Sequence, residues 1–166
     1  MPVTESQVLK SGTVQNQPTQ QQIDAVTELE TVVRLQNRDL VETAVFQAFA
    51  SGLHPLHSQP LIILVEAPWH SRHEDIARAL QQLRSPVAVD ALERTAHAVH
   101  EYLAYDDSFA LARKCAWALA DIGTPEAKRA LRRLAACDNS IIASYAQKRL
   151  TNWQNELHRK RLSVSC

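Results

Sequence analysis

ALADIGTPEAKRALRRLA, residues 118–135, reads as the end of one helix, a tight turn and the start of another. Gly123 is a helix stop, because glycine accepts the left-handed conformation that follows a last turn. Thr124-Pro125-Glu126 then supplies an N-cap oxygen, a proline tolerated in a first turn and an early acid. Ala127, Ala130, Leu131 and Leu134 follow at helical spacing. Thirty-nine positions upstream, residues 79–96 read ALQQLRSPVAVDALERTA. The two stretches match at Ala79/Ala118, Leu80/Leu119, Pro86/Pro125, Ala88/Ala127, Ala91/Ala130, Leu92/Leu131, Arg94/Arg133 and Ala96/Ala135. Most matches fall on apolar faces and on the helix start, the positions a duplicated helix pair must keep to bury a shared core.

Further copies appear on either side. SYAQKRL at 144–150 aligns with RKCAWAL at 113–119, and Ala48, Phe49, Pro55 and Leu61 align more loosely with Ala79, Leu80, Pro86 and Leu92. Ile23, Val26 and Val33 mark a weak first helix over 23–36, and Leu40, Ala44, Ala48 and Phe49 mark the next, ending near Gly52. Ser58 opens LIILVEA, a helix apolar on every side. Ser71 is the expected N-cap of a helix holding Ile76, Leu80 and Leu83. Ser85-Pro86 opens a long helix with Val89, Leu92, Ala96, Val99 and Leu103 inside. Asn139-Ser140 starts the last one, carrying Ile142, Tyr145, Ala146, Leu150, Trp153 and Leu157. The fold class is therefore all-α. Residues 1–22, polar and glutamine-rich, read as a disordered or loosely attached arm, residues 23–158 as the helical domain, and residues 159–166 as a basic tail.

Composition agrees: 45% of residues are hydrophobic and only 3 are glycine, which favours helices over strands and tight turns. The net charge is zero, but acidic residues outnumber basic ones up to residue 107 and the excess reverses beyond it. The basic end suits an acidic partner, nucleic acid or plain solvation. Three cysteines, Cys115, Cys137 and Cys166, imply no disulfide framework. LIILV is far too short to span a bilayer, and no signal peptide is expected. A reduced cytoplasmic location is the simplest expectation.

ALARKCAWALADIGTPEAKRALRRLAACDNSIIASYAQKRL, residues 110–150, resembles the HEAT-repeat family in its short bacterial, phycobilisome-lyase-type form. Arg113, Ala116, Ala118, Leu119, Pro125, Ala127 and Leu131 carry the pattern. The resemblance covers residues 72–153 well and the upstream part poorly. It implies an α-solenoid of about four HEAT-like helical hairpins, with a concave face lined by the second helix of each pair. Solenoids are generic binding surfaces, so the resemblance specifies architecture and leaves the partner open.

Candidate sites follow from what the repeat does not need. Lys128, Arg129, Arg132 and Arg133 lie opposite the apolar face of their helix, and Asp90, Glu93 and His97 stand on the equivalent helix upstream. Trp117 precedes the core pair Ala118-Leu119, and its counterpart upstream is the polar Arg78, so Trp117 is expected to face outward as a binding anchor or to pack on a neighbouring helix. His97 and His100 are placed one helical turn apart. His70, His73 and Asp75 are metal-ligand types, but no cysteine pair or His-Glu-x-x-His accompanies them. A polar interhelix turn is the expectation there, with no metal, no cofactor and no catalytic residue. The expected function is non-catalytic protein binding, in its concrete form an immunity protein that neutralises a toxin or secreted effector. A nucleic-acid binder using the basic end, a chromophore-lyase-like factor and a structural adaptor are the alternatives.

Overall fold

The computed structural model describes residues 17–155 and residue 157. Eight α-helices account for most of them: α1 (Gln20–Leu35), α2 (Arg38–Ala50), α3 (Ser58–Glu66), α4 (His73–Leu83), α5 (Val89–His97), α6 (Ala110–Ile122), α7 (Pro125–Ala135) and α8 (Ser140–Thr151). Residues 153–155 and 157 are helical again, and the described residues contain no strand.

The helices form two rows. In the first, α4 packs on α6 and α6 on α8, while the α2–α4 contact is the sparsest of the row. In the second, α1 packs on α3, α3 on α5 and α5 on α7. Each second-row helix also packs on the first-row helix that follows it. The matching residues explain this. Ala79, Ala118 and Ala130 are fully buried, and Ala91 nearly so; their small side chains let backbones approach. Leu80, Leu92, Leu119 and Leu131, fully buried too, fill the space between the rows. The duplicated stretches are thus α4–α5 and α6–α7, α2–α3 is the looser upstream copy, α8 opens the next, and α1 caps the second row. This is the expected all-α series of helical hairpins.

The turns in the repeat follow the expected chemistry. Thr124 Oγ1 accepts from the Ala127 N–H at 3.2 Å, and Asn139 Oδ1 accepts from the Ile141 and Ile142 N–H groups at 3.0 and 3.1 Å. Gly123 has φ +71°, and a Cβ there would meet Leu157 Cδ2 at 3.0 Å. Gly123→Ala should therefore lower stability by about 1–2 kcal/mol in chemical denaturation, from left-handed backbone strain with the added contact. An unchanged midpoint would contradict that geometry.

Several boundaries differ from the sequence reading. α1 starts at Gln20, three residues before the expected 23, because Thr19 and Gln22 form a capping box: Thr19 Oγ1 accepts from the Gln22 N–H and Gln22 Oε1 from the Thr19 N–H. Gln22 also donates to the Gly52 carbonyl at 2.8 Å, tying α1 to the end of α2. The rest of the arm, residues 1–16, and the tail 159–166 lie outside the described residues. Ser58 lies inside α3, behind a 3-10 turn at Pro55–His57, rather than capping it. Arg72, not Ser71, holds the N-cap position of α4, without a side-chain cap bond. The expected long helix from Ser85 to Leu103 is three pieces: a 3-10 turn at Pro86–Ala88, α5, and a second 3-10 turn at Glu101–Leu103. Val99, expected inside, is 91% exposed. Finally α8 ends at Thr151, and Trp153 belongs to the helical segment after it.

The apolar α3 is mostly buried through Leu61, Leu64 and Val65, but Ile63 is exposed. Among the described residues, no helix is long and apolar enough to cross a membrane.

Candidate functional site

Most of the charged candidates meet on neighbouring second-row helices. α5 buries Val89, Ala91, Leu92, Thr95 and Ala96, which turns Asp90 and His97 to solvent and leaves Glu93 half-buried. α7 buries Ala127, Ala130, Leu131 and Leu134, which turns Arg129, Arg132 and Arg133 outward. Arg133 joins the two helices by a fork: its Nε and Nη2 donate to the two Glu93 carboxylate oxygens at 2.7 and 2.6 Å. Bidentate pairs of this kind fix direction as well as distance. Arg94, matched to Arg133 in the repeat, does the same one step upstream, donating to Glu66 of α3 at 2.6 and 3.1 Å. Ion pairs thus stitch α3 to α5 and α5 to α7.

The remaining candidates have distinct settings. Arg129 pairs within its own helix with Glu126 at 2.9 Å, an exposed contact of small energy. Lys128 leaves the strip and lies over the Trp153 ring, 5.4 Å from its centroid. Arg132 is exposed and forms no ion pair among the described residues. The result is a strip with acids on α5 and arginines on α7.

Trp117 stands apart from this strip, on α6 of the first row. It is 45% exposed, and Arg149 of α8 lies over its ring at 5.7 Å. It therefore faces outward and also packs on the neighbouring helix. Lys114 beside it pairs with Glu74 at 2.7 Å, and Arg113 lies over the Tyr145 ring at 6.0 Å.

The structure also assembles a histidine cluster that the sequence reading did not join. His70 stacks on His73 with centroids 4.2 Å apart, and His73 stacks on His100 at 3.8 Å. His73 Nε2 donates to the Ala67 carbonyl at 2.7 Å, and Nδ1 accepts from the Tyr102 hydroxyl at 2.8 Å. His70 Nε2 donates to the Leu64 carbonyl at 2.8 Å, and Nδ1 accepts from the Arg72 N–H at 3.0 Å. Each of these two rings uses one donor and one acceptor, so each is satisfied as the neutral imidazole. Burial pushes His73 down to about 4, against the bond to Ala67, with the neighbouring histidines adding to the fall. Burial lowers His70 and His100 as well. His100 therefore leaves the helix on which it was placed with His97: it is buried in the stack while His97 is exposed on α5. The same bonds occupy the nitrogens that the metal reading of His70 and His73 required, and among the described residues no three His, Cys, Asp or Glu side chains are arranged so that they could hold a metal ion.

Cys115 is fully buried, and burial pushes its thiol up to about 12, the opposite of a reactive thiolate.

A family model for the PBS lyase HEAT-like repeat matches residues 111–137, the span of α6, its turn and α7. No curated protein and no solved structure matches the chain. The stacked hairpins and this match agree: residues 111–137 are similar to the PBS lyase HEAT-like repeat, and repeats of that kind mediate protein binding.

Proposed function

We propose that this chain is a non-catalytic, cytoplasmic inhibitor of another protein, of the immunity type that neutralises a toxin or secreted effector. The observation that supports the reading best is the mixed-sign strip on α5 and α7. Asp90, Glu93 and His97 lie beside Arg129, Arg132 and Arg133, and the Glu93–Arg133 fork holds the two sets in register. A surface with both signs at fixed spacing selects a partner with the opposite pattern, and like charges reject others. It suits a protein better than nucleic acid, since the carboxylates of α5 repel phosphates close to the arginines. The inert, buried Cys115 weighs against thiol-based chromophore attachment there.

The test uses Arg129→Glu/Arg132→Glu, which leaves the Glu93–Arg133 fork intact. A partner captured from native lysate by the wild-type chain is purified, titrated calorimetrically and assayed for its own activity. The double variant should lose affinity at least about tenfold, equivalent to about 1.4 kcal/mol. The wild-type chain should suppress the partner's activity. Undiminished binding by the variant would remove the α5–α7 face from the site. A partner that stays fully active when bound would remove the inhibitor role.

A further inference from the structure

The first-row helices present a different surface, independent of the α5–α7 strip. α2 and α4 touch sparsely, and between them lies a groove of about 520 Å³. Phe46 and Phe49 line it from α2, and Arg78 lines it from α4 with its guanidinium over the Phe49 ring at 5.7 Å. Phe46 is 66% exposed. On a chain whose buried core is continuous from α1 to α8, a bare phenylalanine at the mouth of a groove is an unfilled apolar contact. One helix on, Trp117 is half-exposed, with the exposed Arg113 one turn before it; Arg149 of α8 lies over its ring, and the exposed Lys148 precedes Arg149 on α8.

The charges on α6 and α8 are one-sided, Arg113, Lys114, Lys148 and Arg149 against Asp121, while α2 also carries the exposed Asp39. Glu42 and Asp75 both meet Arg72, Glu74 meets Lys114, and Asp121 accepts from Gln81 at 2.6 Å. Arg78, Arg113 and Lys148 form no ion pair among the described residues. Exposed rings therefore alternate with these exposed cations outside any such ion pair, Arg113 acting on the Asp106 carboxylate only at longer range. Aromatic and arginine side chains together are the composition of binding anchors.

We infer that the α2–α4–α6–α8 row docks an acidic segment of a protein. Its apolar side chain fills the groove beside Phe46 and Phe49, and its carboxylates meet Arg78, Arg113 and Lys148, with Trp117 as the aromatic platform. A protein segment fits better than a nucleic acid for two reasons. The three unpaired cations sit on three successive helices, about 8–10 Å apart by ordinary helix packing, rather than in a dense track. The groove sets the carboxylates of Glu42 and Asp75 beside Phe46 and Phe49, and with Arg72 and Arg78 it has no excess of positive charge to hold a phosphate backbone.

The probe is a synthetic peptide of glutamates around a central phenylalanine pair, titrated into the isotope-labelled full chain and followed by NMR. Comparison arms are the same peptide with lysine for glutamate, and a single-stranded oligonucleotide. The glutamate peptide should shift the signals of Phe46, Arg78, Arg113, Trp117 and Lys148, while the lysine peptide shifts none of them. Arg113→Glu/Lys148→Glu should weaken binding at least about tenfold, and Phe46→Ser should do so separately through the groove. All of these side chains are exposed, and circular dichroism checks that the variants stay folded. Arg129→Glu/Arg132→Glu should bind the peptide as the wild type does. Signals that move on α7 instead, absence of peptide binding, or tighter binding of the oligonucleotide would each overturn the proposal.

Discussion

Between pH 7 and pH 4 the chain should lose about 3 kcal/mol or more of unfolding free energy, measured by urea titration at each pH. The origin is the histidine stack. Burial brings His73 from the ordinary 6.5 of a histidine to about 4 in the folded chain, so between these values the unfolded chain binds the additional proton. Stability therefore rises with pH through that window: it is complete above about 6.5 and declines as the pH falls toward 4. At 1.36 kcal/mol per pH unit, His73 alone accounts for about 3 kcal/mol. His70, His100 and the buried His57 are also lowered, each first by burial, and add in the same direction. Geometry gives the same sign, since a proton on His73 Nδ1 would face the Tyr102 hydroxyl now donating to it. Glu74 and Asp75 are the carboxylates of α4 nearest the Tyr102 end of the cluster. Carboxylates held down by hydrogen bonds, Asp106 by the Ser108 hydroxyl and Glu126 by its own backbone N–H, act in a separate and lower window. Their contribution is present above their ordinary values of 3.8 and 4.5 and is lost only as the pH falls through their folded values. His73→Phe should flatten the curve between pH 6.5 and 4, although it lowers stability at pH 7 by stranding the Tyr102 hydroxyl and the Ala67 carbonyl. A wild-type curve that is flat over this range would contradict the neutral, buried stack.

That stack shows where the sequence stops being legible. α4, α5, α6 and α7 could be read because each carries a periodic apolar face and a duplicate one repeat away. Local chemistry and the need for a common core pointed the same way. The break after α5 could not be read, because Val89, Leu92, Ala96, Val99 and Leu103 continue the helical period through it. What ends the helix is tertiary: His100 packs on His73, and the chain turns out at Ala98, where ψ is 138°. A signal did exist, since His70 and His100 are separated by thirty residues, close to one repeat. The same holds for Glu93 and Arg133, opposite charges forty residues apart on successive second-row helices. Comparing copies for complementary residues, as well as identical ones, would have joined both pairs. Comparison did work for Trp117, whose polar counterpart Arg78 places it outward. The start of α1 is hidden in the sequence because Thr19-Gln20-Gln21-Gln22 reads as low complexity, while its spacing is a capping box.

Leu119→Ala should be the most damaging single truncation in the chain, costing about 3–5 kcal/mol and lowering the melting temperature by about 10 °C. Leu119 is fully buried on α6, and α6 packs on α4, α5, α7 and α8. Repeat stacks are held by contacts between neighbours, so a defect in a terminal helix frays one end, whereas a defect in α6 weakens the interfaces on both sides. The gap should stay open, because the repeat's small side chains on α6 and on the helices packed against it, Ala79, Ala118 and Ala130, are all fully buried and offer nothing long enough to fill it. The cavity term should therefore add to the lost transfer free energy. Phe46→Ala, on an exposed ring, should change stability by no more than about 0.5 kcal/mol. The two variants thus separate the scaffold from its surfaces. If Leu119→Ala cost no more than Phe46→Ala, α6 would not be the junction of the stack. The α5–α7 strip would then lose its rigid backing, because its register depends on α5 and α7 both being seated against α6.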